Sequence, residues 1–543
     1  MRPAPDESLD WESTENLYIE GDNLEVLKLL QKSYFNQIKM IYIDPPYNTG
    51  KDFVYKDNFR DNLANYQRLT GQRDGEGNPL TTNSESDGRY HSNWLNMMYP
   101  RLKLARNLLT DDGVIFISID DNEQANLKKI CDELYGEENF VFELIRKTKS
   151  TTNDAKTGVN IQHEVCLVYA KDAKNLNLLG GDKDLSGYSN PDNDPNGDWI
   201  SDNPSAKSGN METGYFPVVN PYTGKKDYPP KGRFWLFSKN TIQKHIDYGT
   251  ITFKRAHKDN ERGFIYKRYK KDLKTTKKTM DSLVFVDNNF LNQKATKELL
   301  DLQLVEFFTY PKGVDFIKNL LVHATDQHSI ILDFFSGSAT TAHAVMQLNA
   351  EDKGNRKFIC IQLPEPTDEK SEAFKAGYQT ICDIGKERIR RAATKIRNEH
   401  PETDIDLGFK VFKLDTSNLK KWQPESGNLE KDLLDAIDNI LPDRNNQDLL
   451  YEVLIKYGLP LTYPVEEIKI ADHTIFNVAN GSLIACFDEG IDLETVQAIA
   501  DLSTAEQPIL RVVFRDTSFV DDIVKTNAIQ RLLQAGIEDV LSI

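Results

Sequence analysis

The sequence predicts an α/β protein: a doubly wound, mixed but mostly parallel sheet, interrupted by an irregular module and followed by a further α/β region. Three observations predict this. Continuous apolar runs alternate with amphipathic segments over residues 17 to 145, as expected when helices cover both faces of a parallel sheet. The same rhythm returns between residues 329 and 398. Two of the strand-like runs end in "DPPY" (44–47) and "FFSGSATT" (334–341), and ligands of such sheets bind beyond the strand carboxyl ends.

Taken in order, "NLYIEGD" reads as a strand and "NLEVLKLLQKSY" as a helix with apolar residues three and four apart. "IKMIYID" is a buried strand stopped by two prolines. The polar stretch 71 to 90 predicts a loop, and "WLNMMYPRLKLARNLLTDDG" is mostly helical. "GVIFISID" is a strand and "NEQANLKKICDELYG" a helix. Gly, Asn, Asp and Pro then crowd "GGDKDLSGYSNPDNDPNGDW", which marks an inserted module over about 171 to 310. "SIILDFFSGSATTAHAVMQLN", "RKFICIQLPEP" and "ICDIGKERIRRAATKIRN" restore the strand and helix alternation, and from about residue 408 the chain is acidic and mixed.

At 543 residues several domains are expected. No apolar stretch nears the roughly 18 residues needed to span a bilayer. The opening "MRPAPDESLDWEST" has no apolar leader core, so a cytoplasmic protein without membrane contact is expected. The five cysteines are scattered among apolar residues and read as buried hydrophobes. No His/Cys cluster has ligand spacing, so no metal is expected.

The net charge of −17 argues against a nucleic-acid partner until its distribution is considered. Residues 401–543 carry −14, whereas "FKRAHKDNERGFIYKRYKKDLKTTKK" (253–278) carries +8 with four aromatics interleaved. That pattern suits a surface tracking a nucleic-acid backbone. Lys254, Arg255, Lys267, Arg268, Lys270 and Lys271 are its candidate phosphate contacts.

Asp44 and two prolines at a strand end face the ligand crevice. Proline fixes φ near −65° and supplies no N–H. A carboxylate beside a fixed carbonyl makes two acceptors, suited to a two-donor amino group, and Tyr47 offers its ring for stacking. The exocyclic amine of a nucleobase fits. Its lone pair is delocalised, and acceptors on both hydrogens favour the tetrahedral geometry in which it attacks. With no metal, thiol or nucleotide-phosphate site in view, the electrophile is a methyl carbon on a cationic sulfur.

In "ILDFFSGSATTAHAV" a small-residue turn (Ser336, Gly337, Ser338, Ala339) leads to a helix beginning near Thr340, with Asp333 at the strand end as an acceptor. Its spacing is neither GxGxxG nor that of a P-loop, which disfavours a dinucleotide or ATP. Gln362 and Glu365 in "CIQLPEP" lie where a ribose-binding acid is found, and Pro311 and Lys312 in "FTYPKGVDF" could close over the ligand.

"DPPY" with "DFFSGSATT" resembles the amino-methylating DNA methyltransferases that use S-adenosylmethionine, in the β-group order. "YIEGDNLEVLKLL", "HSNWLNMMYPRLKLARNLL", "HEVCLVYAK", "QLPEPTDEKSEAFKAGYQTICDIGKERIRRA", "GFKVFKLDTSN" and "FRDTSFVDDIVKTN" resemble the modification subunit of type III restriction–modification systems. The resemblance implies a permuted seven-stranded-type methyltransferase sheet, with a catalytic half in 1–170, target recognition in 171–308, a cofactor half in 309–405 and a C-terminal domain in 406–543 for dimer or restriction-subunit contacts. It implies that Asp44 and the Pro45 carbonyl hold an adenine amine in double-stranded DNA, with Pro46 rigidifying the loop and Tyr47 stacking on the flipped base. Asp22, beside Asn23 in "GDN", would contact the cofactor's adenine. Asp333, Phe335, Gly337 and the turn Ser338–Thr340 would line its methionine and sugar, aided by Pro311 and Lys312, with Gln362 or Glu365 on the ribose. A homodimer partnered by an ATP-driven restriction subunit is implied as well.

Ala339 stands where many relatives have glycine, Phe334 where many have proline, and Gln362 where an acid is common. Cytosine C5 methylation is excluded because no Pro-Cys pair exists. Cytosine N4 methylation uses the same cradle and stays open, although the aspartate favours adenine. A catalytically idle specificity module is the other alternative, against which the intact DPPY argues.

Overall fold

Alternate residues of each central strand face opposite helical layers. The computed structural model describes residues 1–48, 87–151, 158–420 and 439–543; the loop expected at 71 to 90 lies, up to residue 86, outside them. The main sheet contains β1 (Leu17–Glu20), β2 (Ile38–Ile43), β3 (Leu109–Ile119), β4 (Phe140–Lys147), β5 (His163–Ala170), β6 (Ile330–Asp333), β7 (Lys357–Gln362) and β8 (Lys410–Lys413), plus the edge segment Arg2–Pro3. Their order in space is Arg2–Pro3, β8, β1, β7, β6, β2, β3, β5, β4. Every pairing from β8 through β3 is parallel, while β5 runs antiparallel to both β3 and β4.

Leu17, Ile19, Ile41, Ile43, Ile115 and Ile117 point to one face. There they pack against helices α1 (Asn23–Tyr34), α2 (Asp87–Leu108) and α3 (Gln124–Tyr135). The intervening Tyr18, Met40, Tyr42, Val114 and Phe116 point to the other. They pack against α4 (Val314–Ala324), α5 (Thr340–Asp352) and α6 (Ile381–Glu399). A period of two on strands buried on both sides explains the unbroken apolar runs. The helices begin where their caps are. Asp22 accepts from the Leu24 and Glu25 N–H groups, and Thr380 with Asp383 forms a reciprocal capping box.

The connection from β6 leads to β7 on one side, and that from β2 leads to β3 on the other. Adjacent strands whose connections diverge leave a crevice at their carboxyl ends. Leu332 is registered with Ile41, so Asp333 and the DPPY segment leave neighbouring strands at the same end of the sheet.

Leu179–Thr279 forms a separate compact unit, narrower than 171–308; residues 280–308 belong with the sheet unit. The inserted unit is built of short antiparallel pairings, among them Phe264–Tyr269 between Ile251–Phe253 and Trp199–Ser201. Its core holds Phe216, Trp235, Phe237 and Phe264. "GFKVFKLDTSN" supplies β8 to the main sheet, so the acidic C-terminal fold proper starts beyond it. That fold is a five-stranded sheet over 465–542 with helices Leu493–Asp501 and Asp522–Gln534. All five cysteines are buried. Among the described residues, no helix is long and apolar enough to cross a membrane.

Candidate active site

β2 is buried along its length and delivers Asp44 to the crevice at the switch between β2 and β6. The two prolines set the backbone, and Trp94 of α2 fixes it further, its indole Nε1–H donating to the Pro46 carbonyl at 2.6 Å. Among the described residues no donor reaches the Pro45 carbonyl. Of the two carbonyls in the turn, one is tied and one is open. The cavity here measures ≈ 540 Å³ and is lined by residues 44–47 with Arg146, Glu164, Asn292 and Tyr310–Lys312.

A charged cluster closes one wall. The Tyr47 hydroxyl donates to Asp44 Oδ1 at 2.8 Å, and Lys312 Nζ reaches the same oxygen at 3.2 Å. Lys312 also donates to Tyr47 Oη at 2.6 Å and to Glu164 Oε1 at 2.8 Å. Arg146 Nε donates to Glu164 Oε1 at 2.8 Å, and its remaining nitrogens bond the Phe290 carbonyl and Asn292 Oδ1. Burial pushes the Glu164 carboxyl up, but Lys312 and Arg146 outweigh it and hold the pKa at about 2. Burial likewise pushes Asp44 up. Lys312 pulls it down and Glu164 pushes it up again, which leaves it above the ordinary carboxylate value. Glu164 is thus the firmly ionised carboxylate of the cluster, while Asp44 holds its proton more readily than an ordinary aspartate.

The turn after β6 has two residues in the left-handed region, Gly337 at φ 50° and Ala339 at φ 60°, ψ 41°. Gly337 N–H donates to Gln362 Oε1 at 2.7 Å, and Ser336 N–H to the Ile361 carbonyl at 3.2 Å, so the turn lies on the end of β7. Ser338 and Thr340 hydroxyls accept from Arg388, a fully buried guanidinium, at 2.8 and 2.6 Å. Asp333 has one oxygen on the Phe335 N–H at 3.1 Å and the other on the Thr341 hydroxyl at 2.5 Å. Burial raises its pKa to about 7.

The side chains of Asp333 and Gln362 bond within or onto the turn, and those of Ser338 and Thr340 bond Arg388. Ala339 is fully buried. Asn23 is buried too, donating to the Phe334 carbonyl at 2.6 Å and accepting from Arg101. Asp22 caps α1 and also pairs with Arg101 at 3.2 Å, with about 30% of its side chain exposed. Lys312, expected on the cofactor side, points its ammonium into the DPPY cluster. Beside the turn residues lie the Ser336 hydroxyl and the Glu365 carboxylate. Ser336 Oγ is buried with no hydrogen-bond partner among the described residues. The Glu365 carboxylate is partly buried and raised in pKa by that burial. A small-residue turn with an orphaned hydroxyl and a nearby open acid fits an adenosine-bearing cofactor.

The strain at Ala339 can be weighed. A left-handed alanine costs roughly 1–2 kcal/mol, and its buried methyl returns about 0.8 kcal/mol. Ala339→Gly should therefore raise the melting temperature slightly, and Ala339→Val should lower it sharply because a β-branched side chain fits neither the backbone nor the space. Thermal melts of the three proteins check this.

Sequence reasoning missed Glu164, Arg146 and Trp94. An acid opening the apolar run "HEVCLVYA" was the available signal, since a carboxylate on a buried strand needs a cationic partner. Within the basic run, Lys267 is 2% exposed, its ammonium held by Asp192 and Asp194 at 2.5 Å each and lying over Trp199; its charge is already paired inside the inserted unit. Lys254, Arg268 and Lys270 each face one acid, Glu261, Asp202 and Asp198, but keep exposed surface. Arg255 lies over Tyr222, and Lys271 over Tyr248. The unit as a whole carries 19 Lys and Arg against 12 Asp and Glu, a net +7 in a chain of −17.

The DNA methylase family profile matches residues 38–392. The Mod subunit of the type III restriction-modification enzyme StyLTI from Salmonella typhimurium is 39% identical over 410 residues, covering 74% of this chain and 61% of that one. The EcoP15I Mod subunit of Escherichia coli is 34% identical over 504 residues (85% and 74%), and the EcoPI Mod subunit of Escherichia phage P1 is 34% identical over 498 residues (87% and 76%). The chain thus spans between 61% and 76% of the length of these relatives. A strand order that sets the DPPY segment beside the small-residue turn, and sequence likeness carried through both, lead to one conclusion: the chain belongs to the DNA methylases, which use S-adenosylmethionine, and among them to the modification subunits of type III restriction–modification systems.

Proposed function

We propose that this protein methylates the exocyclic N6 of adenine at a specific site in double-stranded DNA, as the modification and specificity subunit of a type III system. The observation that carries the reading is the open Pro45 carbonyl beside Asp44, on the strand next to the Gly337 turn. S-adenosylmethionine supplies a methyl carbon on a cationic sulfur. Asp44 and Pro45 accept the two amine hydrogens and aim the nitrogen lone pair. Trp94 keeps the cradle rigid through Pro46. Glu365, the Ser336 hydroxyl, Asp22 and the backbone at Phe335 and Gly337 hold the cofactor, with Pro311 at the wall between.

A base inside a duplex cannot reach Asp44, so the adenine is flipped out, at a cost of a few kcal/mol. Tyr47 stacks on it. Tyr310 supports a second contact, since it lines the cavity with its ring 85% exposed on a left-handed backbone of φ 62°. Tritiated S-adenosylmethionine with duplex DNA tests the reading, and methylation-aware sequencing identifies base and site together. Label on cytosine N4 would change the target; no label on diverse DNA would favour a specificity module without catalysis.

The inserted unit reads the DNA. Lys254, Arg255, Arg268, Lys270 and Lys271 are its phosphate contacts in this reading. Neutralising them should weaken binding equally across sequences and lower the salt slope by about 0.9 for each phosphate left unpaired. Lys267→Met should instead unfold the unit by leaving Asp192 and Asp194 without their cation. Fluorescence anisotropy over a salt series separates the two. The acidic C-terminal fold offers surfaces for a homodimer and for an ATP-dependent restriction subunit, in the cytoplasm.

A further inference from the structure

We propose that Lys312 is a latch on the amine cradle: its ammonium occupies the Asp44 side of the cradle, where the amine would donate, and it withdraws when a cationic cofactor occupies the neighbouring turn. The inference rests on the reading of Asp44 as amine acceptor. An ammonium has three donors, and Lys312 has three oxygens about it, Tyr47 Oη at 2.6 Å, Glu164 Oε1 at 2.8 Å and Asp44 Oδ1 at 3.2 Å. The same nitrogen lies 5.1 Å from the centre of the Tyr47 ring, out beyond its hydroxyl. The acceptor oxygen that a flipped adenine needs is engaged by the protein's own cation.

The surroundings give that cation somewhere to go. Glu164 bonds Lys312 independently of Asp44, and Arg146 keeps Glu164 ionised from the far side, so Lys312 can leave Asp44 while retaining one full partner. Its backbone ties it to the other half-site, because the Lys312 carbonyl accepts from the hydroxyl of Thr340, the first residue of α5, at 3.3 Å. A positive charge at the Gly337 turn repels the ammonium across a low-dielectric gap; a neutral sulfur does not. Lys312 therefore admits the base when the methyl donor is present and closes the cradle after transfer, a coupling that acts equally in both directions.

The test uses the full chain and a duplex with 2-aminopurine next to the methylated adenine, which brightens when its neighbour leaves the stack. Two probes differ at the critical atom: sinefungin bears a cationic amine and S-adenosylhomocysteine a neutral sulfur. Wild type should reach half-maximal brightening at about fivefold lower protein with sinefungin. Lys312→Met should respond equally to both probes, as tightly as wild type does with sinefungin, and Lys312→Gln serves if the methionine variant does not fold. Equal responses in the wild type, or an undiminished difference in the variants, overturn the latch. So does weakened cofactor binding with unchanged base insertion, which would make Lys312 a cofactor ligand. A wild type that methylates no adenine would instead remove the reading beneath it.

Discussion

Asp44→Asn should lower the single-turnover rate of methyl transfer on the order of 10³-fold, the scale of removing one preorganised electrostatic partner from a reacting group. An amide at this position offers one acceptor and turns two donors towards groups that already donate, the Tyr47 hydroxyl and Lys312. The amine loses its partner and the lone pair relaxes into the ring. DNA affinity should change little, because the basic run that carries phosphate contacts in the proposed reading lies in the inserted unit. Tritium incorporation at saturating DNA and cofactor gives the rate, and a variant keeping a tenth of it would remove Asp44 from the chemistry. The pH profile adds a second check. In the proposed reading the rate needs ionised Asp44, and burial raises its pKa. The acid limb should therefore fall above the ordinary aspartate value of about 3.9, and Asp44→Asn should abolish that limb.

The second large effect is on stability. Glu164→Ala should destabilise the sheet unit by about 3–5 kcal/mol, because it leaves the fully buried Arg146 and the nearly buried Lys312 without their shared anion. Glu164→Gln should cost less, since its amide oxygen still accepts one bond. The pKa of Glu164 is held near 2 in the folded chain, against about 4.5 unfolded. A depressed carboxylate contributes its full stabilisation above the unfolded value and loses it as pH falls towards the folded one. The wild type should lose its advantage over Glu164→Gln between about pH 4.5 and pH 2, as read from urea midpoints at a series of pH values. A constant gap across that window would mean that the three charges do not interact as their distances suggest.

Much of the site was legible in order along the chain. Strand identity follows from apolar runs and their stops, and both are local: "IKMIYID" ends at two prolines, and "SIILD" ends in small residues. The left-handed backbone at Ala339 was foreseeable only through the glycine that the resemblance implies for that position. The convergence of Lys312 on Tyr47 and Glu164, 265 and 148 residues away, was not. Nor was the burial of Lys267, which has the same basic neighbours as the exposed Arg268 but sits on the inward side of its strand.

The sequence by itself determined which residue types stand at the strand ends, an acid with rigid carbonyls on one and a tight turn on the other, because backbone conformation and turn chemistry act over a few residues. Strand order and packing determined which polar groups remain open. Each buried donor or acceptor must find a partner, and only the folded arrangement decides that Asp333 and Gln362 bind the turn after β6 while Asp44 is held by Tyr47 and Lys312.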